Sequence, residues 1–444
     1  MSRSSRDDYG YGVSYTVFAR KYRPRTFDEI IGQEHIVRTL KNAIAQNRLA
    51  HAYLFVGPRG TGKTSTARIL AKALNCTGGP KAEFDPDEPA CKEIAEGRSM
   101  NVLEFDAASN TQVDKIREII IENVKYAPVG GRYKVYIVDE VHMLSTASFN
   151  ALLKTLEEPP PHVIFVFATT DVQKVPTTIL SRCQRFDLKR IPIGLIRDHL
   201  LFIAKNESVK LTRAAAEAIA RGAEGGMRDA ESMLDQLVAF CCEDIDEPDV
   251  LRVFGFTSQQ TVAQLCERLL EGDAPAALRI VHDEAEAGRD LTRLLSDLIG
   301  HLRALLVAQA DVESLREELS PEAIEIVLSQ AERIDRGRLL DLIERCAEAE
   351  QRMKWAPNKK MHLEIAVIRA IQTLSQATLG EVLDTLGSIR EGGPLPVAPQ
   401  PQRPVPAKPQ PVARSATPER AIDPSSPPSP PVREMPKPTA TAEV

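Results

Sequence analysis

Residues 52–68 read AYLFVGPRGTGKTSTAR: a short apolar, β-prone run enters Gly57-Pro58-Arg59-Gly60-Thr61-Gly62-Lys63-Thr64-Ser65 and leaves into helix formers. This is G-x-x-x-x-G-K-[ST] in the strand-to-helix setting that the motif requires. Gly57, Gly60 and Gly62 let successive backbone N–H groups, those around Thr61 and Ser65 included, close on phosphate oxygens where a Cβ would obstruct them. The following helix turns the positive end of its dipole toward the same anion. Lys63 is expected to reach the β- and γ-phosphates as a point charge, and the Thr64 hydroxyl to ligate Mg²⁺. Such a stretch demands an α/β domain with a buried strand, and a nucleoside triphosphate as its ligand.

A second acidic element lies about 75 residues further on. Val135-Tyr136-Ile137-Val138-Asp139-Glu140 reads as a buried strand that delivers two carboxylates at its C-terminal end, the edge where ligands sit in open α/β sheets. Asp139 is expected to hold Mg²⁺ through water and Glu140 to orient the attacking water. His142 makes the string D-E-V-H, superficially that of DExH helicases. We read it as a polar residue on the helix that follows.

The rest of the chain organises around these two motifs. Strands are expected at 52–56, 102–106, 134–139 and 163–169, and their near-continuous apolarity indicates a mostly parallel sheet covered by helices. Helices are expected at 64–75 and at 146–158, the latter stopped by Pro159-Pro160-Pro161. From about 193 to 385 helical patterns dominate without a convincing strand, for example 212–222, 227–241, 260–271, 275–287, 291–309 and 361–376. A break near Gly255-Phe256-Thr257-Ser258 divides this part into two modules. About half of the chain's 31 prolines fall beyond Gly393. That composition cannot bury a core, so an extended disordered tail is expected, with a linker and a docking strand as open alternatives.

Composition excludes several classes. No apolar run in the 444 residues approaches the length that spans a bilayer, and the N-terminus MSRSSRDDYGYG lacks the apolar segment of a secretory signal. Seven scattered cysteines suit reduced thiols in a bacterial cytosol. The net charge of −6 argues against a histone-like binder, so DNA contact requires a local basic face or partners. Three further polar positions fit a phosphate pocket: Thr169-Thr170-Asp171 after a strand, Arg182 in Ser181-Arg182-Cys183, and Arg228 in Gly226-Met227-Arg228-Asp229. Arg182 covers a helix end or projects from the subunit surface. Taken singly, each arginine is ordinarily a solvated charge.

Taken together these strings resemble the gamma/tau ATPase subunits of bacterial DNA polymerase III clamp loaders, members of the AAA+ family. The resemblance runs over roughly 15–376. It is carried by Phe18-Ala19-Arg20-Lys21-Tyr22-Arg23-Pro24, Ile31-Gly32-Gln33-Glu34-His35, the phosphate loop, Asp106-Ala107-Ala108-Ser109 and Val138-Asp139-Glu140-Val141-His142-Met143-Leu144. Phe149-Asn150-Ala151-Leu152-Leu153-Lys154-Thr155-Leu156-Glu157-Glu158-Pro159, Ile179-Leu180-Ser181-Arg182-Cys183, Glu224-Gly225-Gly226-Met227-Arg228-Asp229 and Ala356-Pro357-Asn358 complete it.

The resemblance implies a flexible leader (1–12), an α/β AAA+ ATPase domain (13–192), an all-α lid (193–254), an all-α collar (255–385) and a Pro-rich tail (386–444). It implies that Arg23 and Ile31 border the adenine, that Thr169 or Thr170 acts as sensor 1 and Arg228 as sensor 2. Arg182 would be a finger that completes a neighbour's site; such an arginine is worth about 10³–10⁵ in turnover. The implied role is an ATP- and Mg²⁺-dependent motor in a five-membered ring that loads a sliding clamp on primer–template DNA, with the polymerase core and helicase as possible further partners. No polymerase site is present in the sequence, so nucleotidyl transfer belongs to the holoenzyme. The competing readings are a DNA-translocating AAA+ or DExH-type motor and a non-catalytic ring scaffold; the intact Lys63, Thr64, Asp139 and Glu140 oppose the latter.

Two departures from the family stand out. Its zinc pattern C-x8-C-x2-C-x2-C keeps only Cys76 and Cys91, with Asp85 and Glu88 at the inner positions. Two hard oxygen ligands weaken a closed structural zinc site, so substoichiometric or absent zinc is expected. The long family members also carry domains that bind helicase and polymerase, for which this chain shows only the proline-rich segment.

Overall fold

The computed structural model describes residues 15–109, 123–241, 244–315 and 321–376. The four apolar runs become strands β1 (Ala52–Val56), β2 (Val102–Asp106), β3 (Lys134–Asp139) and β4 (Val163–Thr169), and a fifth strand β5 (Gln184–Asp187) is added at one edge. Neighbours pair in parallel in the order β2-β3-β4-β1-β5. Every residue of β1 and β4 is buried, as continuous apolarity requires of central strands. At the edges the pattern loosens. Glu104 of β2 faces Arg68 through two bonds of 2.6 and 2.7 Å, and β5 buries only Phe186. That single buried residue is why β5 gives no strand signal in the sequence.

Successive strand residues point to opposite faces, so each strand feeds two cores. On one face Tyr53, Phe55, Val135, Ile137, Ile164 and Val166 pack with Ile36, Leu40 and Ile44 of the helix Glu34–Ala45 and with Ile69, Leu70 and Leu74 of the helix Lys63–Asn75. On the other, Leu54, Tyr136, Val138, Phe165 and Phe167 pack with Phe149, Leu152 and Leu156 of the helix Thr146–Glu157. Ser145 caps that last helix by accepting from the Ser148 N–H at 3.2 Å.

Beyond the sheet the chain is almost entirely helical. The helices Ile193–Asn206, Arg213–Gly222, Met227–Cys241 and Glu247–Phe254 enclose one core, which also takes Phe18 from the short turn Phe18–Lys21. Two residues of β6 (Lys210–Leu211) pair in parallel with two of β7 (Asp244–Ile245). This corrects the expectation of no strand after 193; a two-residue bridge is too short to leave a period in the sequence. Gly255 then closes the fourth helix in the left-handed conformation (φ 66°), and Ser258 caps the next.

Six further helices share a second core: Gln259–Glu271, Ala274–Glu286, Leu291–Ala308, Pro321–Ala331, Arg336–Met353 and Lys359–Ser375. Leucines at helical spacing (Leu291, Leu294, Leu295, Leu298, Leu302, Leu305) make one buried stripe of the third. Asp273, Asp290, Asp335 and Asn358 each cap a helix start with a side-chain oxygen. The expected leader at 1–12, the end of the expected collar (377–385) and the proline-rich tail lie outside the described residues. Among the described residues no helix is long and apolar enough to cross a membrane.

Candidate nucleotide site

A cleft of about 420 Å³ opens where the C-terminal ends of β1, β2 and β3 meet the helical module that follows the sheet. Gly60, Thr61, Gly62, Lys63, Thr64 and Ser65 line it, with Asp106, Asp139, Glu140 and Arg228. Gly62 holds φ 101° and caps the helix Lys63–Asn75, a conformation that an L side chain rarely adopts. Gly60 is needed on both counts: it holds φ 76°, and a Cβ there would lie 2.7 Å from Asp229 Oδ2 and 3.0 Å from the Gly226 Cα. Gly57 lies at the foot of the loop, donating its N–H to the Thr169 carbonyl at 3.2 Å.

Lys63 is buried, and its ammonium donates to the carbonyls of Gly57 (2.9 Å) and Pro58 (2.8 Å). Burial pulls its pKa below the ordinary lysine value, and the charges of Glu140, Asp139 and Asp229 pull it partly back. The Thr64 hydroxyl donates to Asp139 Oδ2 at 2.7 Å, bridging residues 75 apart in sequence. A hydroxyl and a carboxylate so joined present the oxygen pair that Mg²⁺ takes in such sites, and the glycine-lined cradle beside them fits phosphate. The residues present therefore fit Mg²⁺ and a nucleoside triphosphate.

Glu140 sits at φ 46°, a left-handed position that costs a non-glycine residue about 1–3 kcal/mol and is retained where geometry matters. Its Oε2 accepts from the Thr170 hydroxyl at 3.1 Å and lies 3.3 Å from His142 Nδ1. His142 lies, as expected, on the helix that follows β3, a 3₁₀ helix over Val141–Met143, and its Nδ1 is 3.0 Å from Thr169 Oγ1. The Thr169 hydroxyl gives its hydrogen to the Asp171 carbonyl and accepts from the Asp171 N–H, both at 3.1 Å. Its remaining lone pair can only accept, so His142 carries its proton on Nδ1. The Thr170 hydroxyl thus tethers one Glu140 oxygen, His142 Nδ1 stands 3.3 Å from it with its proton given to Thr169, and the Glu140 carboxylate lines the cleft. Thr170 itself is not among the cleft's lining residues and meets the site through Glu140.

Arg23 and Ile31 both line the cleft. Burial lowers the Arg23 pKa first, then the like charges of Arg68 and Arg228, against Glu104 and Asp139. The apolar half is made by Ile31, Ile191 and Met227 with Tyr22, His199 and Glu231. Arg228 begins the helix Met227–Cys241, and its backbone N–H donates to the Gly60 carbonyl at 3.4 Å. Asp229 lies 3.6 Å from Arg59. The phosphate loop and this helix start are therefore tied together.

Arg182 is not among the cleft's lining residues. Its guanidinium donates to the Thr178 carbonyl (2.7 Å), Ser181 Oγ (3.2 Å) and Glu157 Oε1 (2.6 Å), so it covers a helix end on the outside of the sheet domain. The Cys76–Cys91 loop is held by other means. Glu88 accepts from the Thr77 N–H (2.9 Å), Asp85 accepts from the Asp87 N–H (2.8 Å), and Cys76 donates to the Ala73 carbonyl (3.4 Å). One oxygen of each carboxylate is engaged by a backbone amide, and among the described residues no group of three or more Cys, His, Asp or Glu side chains is placed to hold a metal, so the four positions do not fit a closed zinc site.

A parallel sheet of order β2-β3-β4-β1-β5, a phosphate loop after β1, an Asp-Glu pair after β3 and an arginine on the next helical module define a AAA+ P-loop ATPase fold. Residues 32–192 match the family described as DNA polymerase III, delta subunit; 195–243 match the DNA polymerase III clamp loader subunit, ATPase lid domain; and 245–386 match DNA polymerase III subunits gamma and tau domain III. The chain is 42% identical over 367 residues to DNA polymerase III subunit tau of Bacillus subtilis (82% of this chain, 65% of that protein). It is 40% identical over 360 residues to the Escherichia coli tau subunit (81% and 56%). Against DNA polymerase III subunit gamma of Buchnera aphidicola, identity is 35% over 366 residues, covering 82% of this chain and 100% of that protein. The chain belongs to the DNA polymerase III gamma/tau subunit family. It spans less than two thirds of the length of the two tau subunits.

Proposed function

We propose that this chain is the ATP-driven motor subunit of a DNA polymerase III clamp loader. The observation that carries the reading is the 2.7 Å bond from Thr64 to Asp139, with Lys63 and Glu140 in the same cleft. Bound Mg²⁺ would be held by Thr64 and Asp139 and would neutralise charge between the β- and γ-phosphates. Lys63 and the N–H groups of the loop orient the phosphates, and Arg228 brings charge from the helical module onto the same group. Glu140, tethered through one oxygen, orients the attacking water and takes its proton. Arg182, outside its own cleft, serves the site of the next subunit, which makes hydrolysis conditional on assembly. The substrate is ATP, and the partners are the other subunits of a five-membered ring, a sliding clamp and primer–template DNA. Polymerase core and helicase are further partners if the segment beyond 386 reaches them.

The deciding experiment is ATP turnover by the reconstituted complex with and without clamp and primed DNA. Turnover should rise when both are present. Glu140→Gln should bind ATP normally and hydrolyse it about 10²–10⁴-fold more slowly, the range for loss of a positioned proton acceptor. Unchanged turnover in that variant would remove the reading.

A further inference from the structure

The base end of the cleft contains two titratable side chains that the phosphate chemistry leaves unused. Glu231 follows Met227 by four positions on one helix, so both share a face, and that face lines the cleft. Glu231 is only 4% exposed. Its Oε1 accepts from His199 Nε2 at 3.1 Å. A carboxylate only accepts, so Nε2 carries the proton and His199 acts as a fixed donor. The imidazole is itself steadied by stacking on Phe202 at 6.1 Å. Among the described residues no hydrogen bond to the second oxygen, Oε2, is found.

A buried carboxylate with one oxygen satisfied and the other turned to a cleft is costly to leave without a donor. Lys63 is engaged by the Gly57 and Pro58 carbonyls, so among the described residues the protein supplies no donor to Oε2 and a bound nucleotide can. A purine extended from the phosphate loop would lie against Ile31, Ile191 and Met227. Adenine presents an exocyclic amino group there. Guanine presents an oxygen at the same ring position, whose lone pairs would face those of the carboxylate.

We propose that Glu231, held by His199, is the acceptor that reads the exocyclic amino group and selects adenine over guanine nucleotides. This rests on the nucleotide-binding reading above. A site built around a hydrogen-bonding group rejects analogues that cannot complete it far more strongly than an apolar pocket does.

The test uses the full chain with ADP and GDP, so that hydrolysis does not enter, and measures both dissociation constants by calorimetry in Mg²⁺. The wild-type chain should prefer ADP by at least about tenfold, the scale of one charge-assisted hydrogen bond. Glu231→Leu should shrink that preference about tenfold, chiefly by weakening ADP. Glu231→Gln, whose amide can donate to the guanine oxygen, should strengthen GDP. A residue that merely holds the fold would move both constants together and leave their ratio alone. An unchanged ratio in both variants, or a wild-type chain that does not discriminate, overturns the inference while the ATPase reading stands, provided Lys63→Ala weakens both nucleotides. A wild-type chain that binds neither nucleotide overturns both.

Discussion

At the phosphate end of the cleft the consecutive residues 57–65 do most of the work, assisted by the neighbouring strand ends that place Asp139, Glu140 and Thr170. At the base end, Tyr22, Ile31, Ile191, His199, Met227 and Glu231 arrive from separate segments spread over two modules. The first is backbone chemistry on a strand-to-helix turn, and on the proposed reading it would serve any nucleoside triphosphate. The second depends on where the helical module meets the sheet, since Met227 and Glu231 ride on the helix whose start is bonded to Gly60. On that reading, binding strength would concentrate at one end and discrimination at the other.

This contrast breaks most visibly in hydrolysis. Arg182→Ala should leave ATP affinity within about twofold and lower turnover of the assembled ring by about 10³-fold, the low end for a finger arginine. Mixed rings with Lys63→Ala chains should show that the loss follows the neighbour's pocket. A fall in turnover only in proportion to affinity would return Arg182 to its helix-capping contacts with Thr178 and Glu157. Lys63→Ala comes next: it removes the ammonium that the proposed site turns to the phosphates, so nucleotide affinity should fall about 10²-fold for adenine and guanine nucleotides alike. A base-dependent loss would contradict the division between the two ends.

A finer test lies within the phosphate end. His142→Ala should lower turnover about tenfold with nucleotide affinity nearly unchanged, because it removes the imidazole that stands 3.3 Å from Glu140 and bonds to Thr169 beside it. His142→Asn, which keeps a donor near Nδ1, should recover part of the rate; equal losses in both variants would mean that the imidazole acts only through packing. The smallest effect belongs to the loop outside the cleft. Elemental analysis of protein purified without chelator should find no stoichiometric zinc, and added chelator should shift the melting temperature by less than about one degree. A tightly held zinc in every chain would show that Cys76 and Cys91 with two carboxylates suffice, against the loss expected of mixed hard and soft ligands.

Reading along the chain located four of the five strands of the sheet and six helices of the later modules because each carries a continuous or periodic apolar pattern. Strand β5 and the β6–β7 bridge escaped it because one buried phenylalanine, or two paired residues, leave no period. The candidate site divides in the same way. Lys63, Thr64, Asp139 and Glu140 announce themselves in short contiguous strings. His142 was legible only as a polar residue on the following helix, because nothing local shows that β3 and β4 end side by side, bringing its ring to Thr169.

By itself, then, the sequence determined a phosphate-binding turn, a parallel sheet to carry it and a largely helical remainder, because those follow from local backbone freedom and from which residues must leave water. Only the tertiary structure decided that Arg182 bonds to Glu157 outside its own cleft, that His142 meets Thr169 and Thr170 meets Glu140, and that Glu231 meets His199. Each of these joins residues 25 or more positions apart. Their meeting is fixed by the register of parallel strands and the packing of separate helices, which no single stretch of chain encodes.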